Sequence, residues 1–378
     1  MIYIDLYSYF CRVIKLRIVV LLVSLLSLLH SSALLAQDPN FTQFYSNRIY
    51  MNPAYAGADP GMRLNLNYRR LWASVPGQFQ TFSATMDIAD FNISGGIGLI
   101  ALNSVEGEGK LRTTQLGGMY SYRLTVIPRM FDLHFAAQGT FLQKSIDFSN
   151  FVFSDQLDPI YGQINPTEAK LPASVQRNMF DASAGILGRF NIKLGKKSRK
   201  LMSNTIGASF KHITQPNESL LGKSSPLPFK LTIHYSAMFN VSKRSAEHKV
   251  YLSPNFIYEK QAQFTSFNFG TFALRAPLMV GIWYRNQQFL ISPKKTDSFS
   301  MNLGFRGENG TKTFIYQVGY SYDLTVSKMI GSSGGSHEIS LILEFTNLRL
   351  FKEKSASAKK KARSCYNFNG PRNLPKIF

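Results

Sequence analysis

The feature that most constrains this chain is a regular alternation of apolar and polar residues over segments of about ten residues. In the segment 180–194, the even positions from Phe180 to Leu194 are mostly apolar, and the odd positions from Asp181 to Lys193 are mostly polar. Successive side chains of a strand point to opposite faces of the sheet. The segment is therefore predicted to form a strand with one apolar face and one polar face.

The same alternation recurs along most of the chain, separated by Gly, Pro, Asn and Ser, and it predicts about fourteen strands. They are placed near residues 62–70, 78–89, 92–105, 111–126, 130–144, 178–194, 201–212, 228–242, 248–259, 264–275, 277–286, 297–307, 312–324 and 337–349. Two long loops are predicted, at 145–177 and 213–227. This pattern is compatible with a soluble sandwich, in which a second sheet covers the apolar face, or with a membrane barrel, in which lipid covers it.

The first residues of the chain have the composition of a secretory signal peptide. Basic residues precede an apolar run from Ile18 to Leu29, and small residues follow this run. The run is shorter than the roughly 20 residues that a transmembrane helix needs. We therefore predict a signal peptide over residues 1–36, cleaved after Ala33 or Ala36, although an uncleaved anchor is the alternative. The protein is thus expected to be exported.

Export, strand number and aromatic content together favour the barrel over the sandwich. Strands of about 9–11 residues can cross a membrane, and a closed barrel leaves no unpaired edge in lipid. We predict an all-β fold, a transmembrane antiparallel β-barrel of outer-membrane type, with a polar lumen lined by Asp132, Asp181, Arg189, Gln317, Asp323 and Glu344. The predicted domains are a signal peptide (1–36), an N-terminal periplasmic lead-in or plug (37–61), the barrel (62–349) and a basic periplasmic tail (350–378).

The chain is strongly basic, with 43 Lys and Arg against 22 Asp and Glu and a formal net charge of +21. An exported protein rarely meets nucleic acid, so we predict no nucleic-acid partner; anionic lipid, cell-wall polymer or acidic protein fit better. The excess is high in the tail, where the candidate partner-binding residues are Lys359, Lys360, Lys361 and Arg363. The alternative is that the tail only improves solubility. Two cysteines, Cys11 in the leader and Cys365, cannot form a disulfide framework in the exported chain.

Several short blocks, in order along the chain, resemble the PorP/SprF family of Bacteroidetes type IX secretion. These blocks are 41–44, 52–57, 68–72, 180–185, 212–218, 227–230, 319–323 and 334–340. The resemblance runs from about Gln37 to Phe345, and the basic tail with one cysteine is also similar to the family. It implies an outer-membrane barrel of the type IX secretion or gliding machinery. The implied partners are outer-membrane lipid, a secreted adhesin, and periplasmic scaffold proteins together with peptidoglycan.

The sharpest local motif runs from Asn52 to Gly57. Asn before Pro53 favours a turn, and Gly57 can adopt a positive φ. The motif is interpreted either as a plug or partner-docking element at the barrel mouth, or as a rigid lead-in that closes the barrel base. Trp72 is either an anchor at the membrane interface or part of the plug. The candidate partner-binding residues here are Asn52, Pro53, Tyr55, Gly57 and Trp72.

Nothing in the sequence favours an enzyme. Ser336, His337 and Glu338 are consecutive residues in a turn and the strand that it enters, and neighbours on a strand point to opposite faces, so they cannot all face one site. The histidines lack metal-ligand spacing, and His134 and His234 are predicted to face the lumen. We therefore predict no catalytic residues, no metal and no cofactor. The predicted function is a non-enzymatic component of type IX secretion, with an outer-membrane diffusion channel or solute transporter as the alternative.

Overall fold

The computed structural model describes residues 38–351, except 78, 91, 129, 169–171, 173, 194–200, 221, 223, 243–248, 289–295, 312 and 327–330. The predicted signal peptide and the tail residues Lys359, Lys360, Lys361 and Arg363 lie outside the described residues. The strands are β1 Met62–Leu71, β2 Phe79–Asp90, β3 Gly95–Glu106, β4 Leu111–Ile127, β5 Phe131–Asp147, β6 Leu157–Asp158, β7 Gly162–Gln163, β8 Ser174–Lys193, β9 Leu201–Lys211, β10 Lys230–Asn240, β11 Tyr251–Gln261, β12 Phe264–Arg275, β13 Leu278–Asn286, β14 Thr296–Glu308, β15 Phe314–Thr325 and β16 Ser336–Phe345.

Fourteen of these strands form one closed antiparallel barrel, which confirms the predicted fold. Consecutive strands pair around the barrel, and β5 pairs with β8 because β6 and β7 form a separate two-stranded hairpin. The barrel closes where β1 pairs with β16, from Met62 opposite Phe345 to Leu71 opposite Ser336. Closure gives each of the fourteen barrel strands two partners, as hydrocarbon requires of a backbone that crosses it.

The two faces of each strand have opposite chemistry, as the alternation predicts. On β14, the outward side chains Met301 and Leu303 are 62% and 55% exposed, whereas the inward Asn302 is fully buried. On β8, Phe180 points outward and Asp181 points inward. A sandwich would bury the apolar face, so the exposed apolar belt and the buried polar interior identify a membrane barrel.

Aromatic side chains pair across strands on the outer surface near both ends of the barrel. Ring centroids are 4.9 Å apart for Tyr258 and Phe267, and 5.1 Å apart for Phe314 and Phe345 at the opposite end. Such girdles mark the two membrane–water interfaces of outer-membrane barrels. Among the described residues, no helix has the length and hydropathy to span a bilayer.

The two ends of the barrel differ in their connections. One end, called here the long-loop end, carries the two longest connections, 148–173 and 212–229. The other, called the short-turn end, includes the tight connections 128–130 and 276–277, and there β1 begins and β16 ends. Residues 145–177 do contain a long loop, but it includes the hairpin of β6 and β7, which the sequence reading does not predict.

Candidate functional site

The interior of the barrel is filled by the chain's own N-terminal residues. This lumenal segment, residues 38–61, contains a short helix, α1 Arg48–Met51, and a 3-10 helix, Pro53–Tyr55. Every residue from Phe41 to Ala58 is buried. The segment is therefore a plug in contact with the barrel wall on all sides.

The lumenal segment crosses the barrel from one end to the other. At the long-loop end, the backbone N–H of Asp38 donates to Gln261 Oε1 over 3.1 Å, and Gln261 is the last residue of β11. At the short-turn end, Gly61 lies against the last residue of β16, since a Cβ on Gly61 would lie 2.3 Å from the carbonyl oxygen of Phe345. The segment thus occupies the full length of the lumen.

A histidine between two carboxylates holds the start of the segment. His212 Nε2 lies 2.9 Å from Asp38 Oδ2, and His212 Nδ1 lies 2.9 Å from Asp181 Oδ2. Burial alone lowers the pKa of an imidazole, but the charge of Asp38 and the hydrogen bonds to Asp181 and Asp38 outweigh it and raise the pKa of His212 to about 9. Burial opposes ionisation of Asp38 as well, yet the His212 charge holds the pKa of Asp38 below its usual range. The contact is therefore an ion pair at neutral pH.

A second anchor lies a few residues further along the segment. The N–H of Thr42 donates to Glu338 Oε2 over 2.6 Å, and its hydroxyl donates to Asp323 Oδ2. Arg69 on β1 pairs with the same Asp323 oxygen at 2.9 Å. Because Asp323 and Glu338 come from β15 and β16, this anchor ties the segment to the place where the barrel closes.

The motif that begins at Asn52 is inserted into a groove of the wall. Its side-chain amide donates to the carbonyl oxygens of Ile186 and Ala208, at 3.0 and 3.2 Å. The groove exists because β8 and β9 carry Gly185 and Gly207 on their inner faces. A Cβ on Gly185 would lie 2.1 Å from Asn52 Oδ1, and one on Gly207 would lie 2.8 Å from Asn52 Nδ2. The wall thus accommodates Asn52 and Pro53 by omitting two side chains.

The rest of the motif also contacts the wall. The ring of Tyr55 stacks on His234 of β10 with centroids 5.3 Å apart. Gly57 has φ +63°, and a Cβ on it would lie 2.5 Å from the Cα of Gly96 in β3. Only glycine at both positions permits this backbone approach. The Gly57 N–H donates to Asp87 Oδ2 over 3.0 Å.

Charged residues fix the segment near the short-turn end. Arg48, which is 1% exposed, contacts the carboxylates of Asp59 and Asp87. Arg189 on β8 pairs with Asp59 at 3.2 Å. A buried arginine with two carboxylates is stable only while all partners are present, since an unpaired buried charge is costly.

Between the two ends, aromatic side chains of the segment also pack against the wall. The ring of Tyr45 packs edge-on against Phe272 of β12 at 4.8 Å, and Phe44 lies 5.2 Å from Trp283 of β13. These side chains belong to one buried cluster that joins the segment to the inner wall. The hydrophobic core of this barrel therefore lies in its lumen.

The structure brings four of the predicted site residues together. Asn52, Pro53, Tyr55 and Gly57 are buried in the lumen, where they contact the barrel wall rather than solvent, Gly57 through its backbone. Partner binding by these four residues stays a prediction, since in this conformation they contact the barrel itself. Trp72 lies elsewhere, just after β1, with its ring 5.2 Å from Phe79.

The sequence analysis did not predict two other parts of the site, the charged residues of the lumenal segment and the glycines of the wall. Asp38, Arg48 and Asp59 carry charge in a segment read mainly as a turn motif, and their charge is the signal that points to wall partners. Gly185 and Gly207 stand on the polar faces of their strands, where a missing side chain signals a close approach from the lumen.

The remaining chemistry-bearing residues do not form a second site in the described part of the chain. Ser336 and Glu338 point into the lumen, while His337 lies on the outer face, where Tyr320 Oη is 2.8 Å from its Nδ1. His134 and His234 are buried in the lumen, as predicted. Within the described ranges, no group of three His, Cys, Asp or Glu is arranged to hold a metal ion.

Comparison with protein families then identifies the chain. The model of the type IX secretion system membrane protein PorP/SprF matches residues 33–343, which include the lumenal segment and nearly all of the barrel. The chain belongs to the PorP/SprF family. A search of curated proteins finds no match to it.

Solved structures similar to this PorP/SprF member include other membrane barrels. The CymD monoaromatic hydrocarbon channel shares 11% identity with a TM-score of 0.37, covering 79% of this chain and 91% of that one. A FadL homologue of Pseudomonas aeruginosa shares 12% identity with a TM-score of 0.37, covering 82% and 95%. The translocator domain of the autotransporter NalP from Neisseria meningitidis shares 13% with a TM-score of 0.36, covering 76% and 88%.

Proposed function

We propose that this chain is a plugged, non-enzymatic barrel of the type IX secretion and gliding machinery. In the outer membrane it supports export or surface attachment of a large adhesin and links to a periplasmic scaffold. The observation that supports a scaffold rather than a pore is that the lumenal segment fills the lumen. Residues 41–58 are all buried inside the barrel, and they are tied to the wall near both ends by Thr42 with Glu338 and by Arg48 with Asp87.

The proposal includes an orientation. Outer-membrane barrels usually expose long loops to the outside and short turns to the periplasm. The long-loop end therefore faces the cell exterior, and Phe345 at the end of β16 faces the periplasm. The chain that follows β16 then continues on the periplasmic side.

Conductance in a planar bilayer tests the scaffold against the channel alternative. The wild-type protein is expected to be electrically silent because its lumen is filled. Arg48→Ala removes the cation that joins Asp59 and Asp87, so this variant is expected to show intermittent currents. Steady ion currents from the wild type would instead support a diffusion channel or solute transporter.

The basic tail is proposed as the contact with the periplasmic scaffold. Replacing Lys359, Lys360, Lys361 and Arg363 by Ser should abolish co-purification of scaffold proteins while the barrel still inserts. A control in which the three lysines become Arg and Arg363 becomes Lys keeps the charge and should retain the scaffold. Co-purification that survives the Ser replacements would contradict this role of the tail.

A further inference from the structure

The longest connection of the barrel exposes apolar side chains to water. The apolar hairpin, residues 148–168, contains β6 and β7. Ile160 and Tyr161, in the turn between them, are 82% and 75% exposed. Val152, Leu157 and Ile164 are each more than half exposed. Clustered exposed apolar side chains of this kind mark interaction sites in soluble parts of proteins.

The hairpin is held in one shape by its own carboxylates. Asp158 Oδ1 accepts from the backbone N–H groups of Ile160 and Tyr161, at 2.8 and 2.9 Å. Asp155 Oδ2 accepts from the Glu168 N–H at 2.7 Å and from the Thr167 hydroxyl at 2.9 Å. The tip is therefore presented in a defined conformation, which lowers the entropic cost of binding.

The base of the hairpin is fixed to the barrel by aromatic packing. The rings of Phe148, Phe151 and Phe153 follow one another, with centroids 5.8 and 6.3 Å apart. Phe151 lies over the turn between β3 and β4, where a Cβ on Gly109 would lie 2.1 Å from the ring. This packing at the base of the hairpin restricts the movement of its tip.

The hairpin stands outside the lipid-facing belt. On the outer surface of β5 and β8, the aromatic pair Phe141 and Phe180 is followed by Gln143 and Asn178, which share a hydrogen bond of 3.2 Å. Beyond this polar pair, β5 continues to Asp147, six residues after Phe141, or about 20 Å along the strand. The hairpin is therefore placed to contact a partner in the aqueous phase rather than the lipid surface.

The hairpin also differs in charge from the rest of the chain. Residues 145–168 include Asp147, Asp155, Asp158 and Glu168 but no Lys or Arg, in a chain of net charge +21. The N–H groups of Tyr161 and Ile160 lower the pKa of Asp158, so it stays ionised at neutral pH. An acidic surround favours a partner whose own surface is basic.

We propose that the apolar hairpin is a docking element that inserts Ile160 and Tyr161 into an apolar pocket, rimmed by Lys or Arg, on an exported cell-surface protein. This inference rests on the proposed function and its orientation. Beyond that function, it specifies which surface contacts the exported partner and what chemistry the partner's own surface has.

Site-specific photo-crosslinking on intact cells tests the proposal. A benzophenone amino acid replaces Tyr161 in the full chain, and the matched control carries it at Phe264, a half-exposed residue after the β11–β12 turn at the same end. We expect an adduct with an exported surface protein at position 161 and none at 264. Ile160→Ser in the same chain should reduce the adduct by about tenfold, since buried apolar anchors dominate interface affinity. High salt should also reduce the adduct, because salt screens exposed charges.

Three results would overturn the proposal: no adduct at position 161, an adduct with lipid or lipopolysaccharide, or an adduct with a second copy of this chain. Each crosslinking result is compared with a second measurement, the co-purification of scaffold proteins with the same barrel. If the scaffold is retained while the adduct is missing, the hairpin proposal alone fails. If both are missing although the benzophenone-carrying barrel inserts, the proposed function fails as well.

Discussion

The side-chain amide of Asn52 occupies the space that a side chain on Gly185 would fill. A Cβ on Gly185 would lie 2.1 Å from Asn52 Oδ1 and 3.1 Å from Pro53 Cδ. The two residues are far apart in sequence, but the missing side chain of Gly185 leaves the space that Asn52 occupies. Asn52 can reach the backbone of β8 and β9 only because Gly185 leaves the wall open there.

We therefore expect Gly185→Ala to displace the motif and destabilise the protein by about 1–3 kcal/mol through overpacking. Gly188→Ala is the matched control on the same strand, since a Cβ there meets nothing closer than 3.5 Å. It should change the free energy of unfolding by no more than about 0.5 kcal/mol. Urea unfolding of protein refolded in detergent measures both, and equal effects would contradict the groove.

A second prediction separates backbone strain from steric overlap at Gly57. Gly57→Ala combines a positive φ with an approach of 2.5 Å to Gly96 Cα, whereas Gly107 has φ +71° and open space around it. Gly107→Ala should cost about 1 kcal/mol, the conformational penalty alone. Gly57→Ala should cost about 1–3 kcal/mol more. Comparable losses of unfolding free energy for the two variants would show that the contact with Gly96 does not matter.

The His212 contact predicts a loss of stability at high pH. Its pKa is raised from 6.5 to about 9, so the protonated form is favoured in the folded state. The stabilisation is fully present below pH 6.5 and is lost as the pH rises through about 9. The size of the loss is up to about 3 kcal/mol. Unfolding free energies measured from neutral pH to well above the raised pKa determine this loss.

The control for this profile is His212→Gln, which should flatten the alkaline loss. His337→Gln, on the outer surface, should leave the profile as in the wild type. Asp38 acts in the other direction, because its pKa is lowered. Its contribution is present above the ordinary value of 3.8 and disappears only as the pH falls well below it. A wild-type profile that is flat across the alkaline range would rule out the ion pair.

The apolar belt predicts different costs for the same substitution in lipid and in water. Ile282 is in the middle of β13 and is 57% exposed on the outer surface. Ile282→Arg should reduce stability in bilayers by about 2–4 kcal/mol, because arginine at the membrane midplane loses its hydration. Ile160→Arg, on the hairpin outside the belt, should stay within about 0.5 kcal/mol. A harmless Ile282→Arg in lipid vesicles would argue against the membrane barrel.

Some strand boundaries could not be predicted because the deciding signal was not local. The sequence predicts the sixth barrel strand at 178–194, but this strand, β8, begins at Ser174. Residues 174–178 extend the pairing with β5 beyond the belt, where no apolar face is required and the alternation disappears. The last strand was predicted over 337–349, yet it ends at Phe345, opposite Met62, where β1 begins.

The sequence by itself determined the fold class and the orientation of the side chains. A period of two residues needs only neighbours along the chain, so Phe180 outward and Asp181 inward follow from the alternation together with the predicted export signal. The tertiary structure alone decided what fills the lumen. The contacts of Asn52 with Gly185, of Asp38 with His212 and of Thr42 with Glu338 join residues more than a hundred positions apart. They exist only once closure has brought distant strands around the lumen. The alternation determines which face each side chain takes, but it does not determine which inward residue meets the segment.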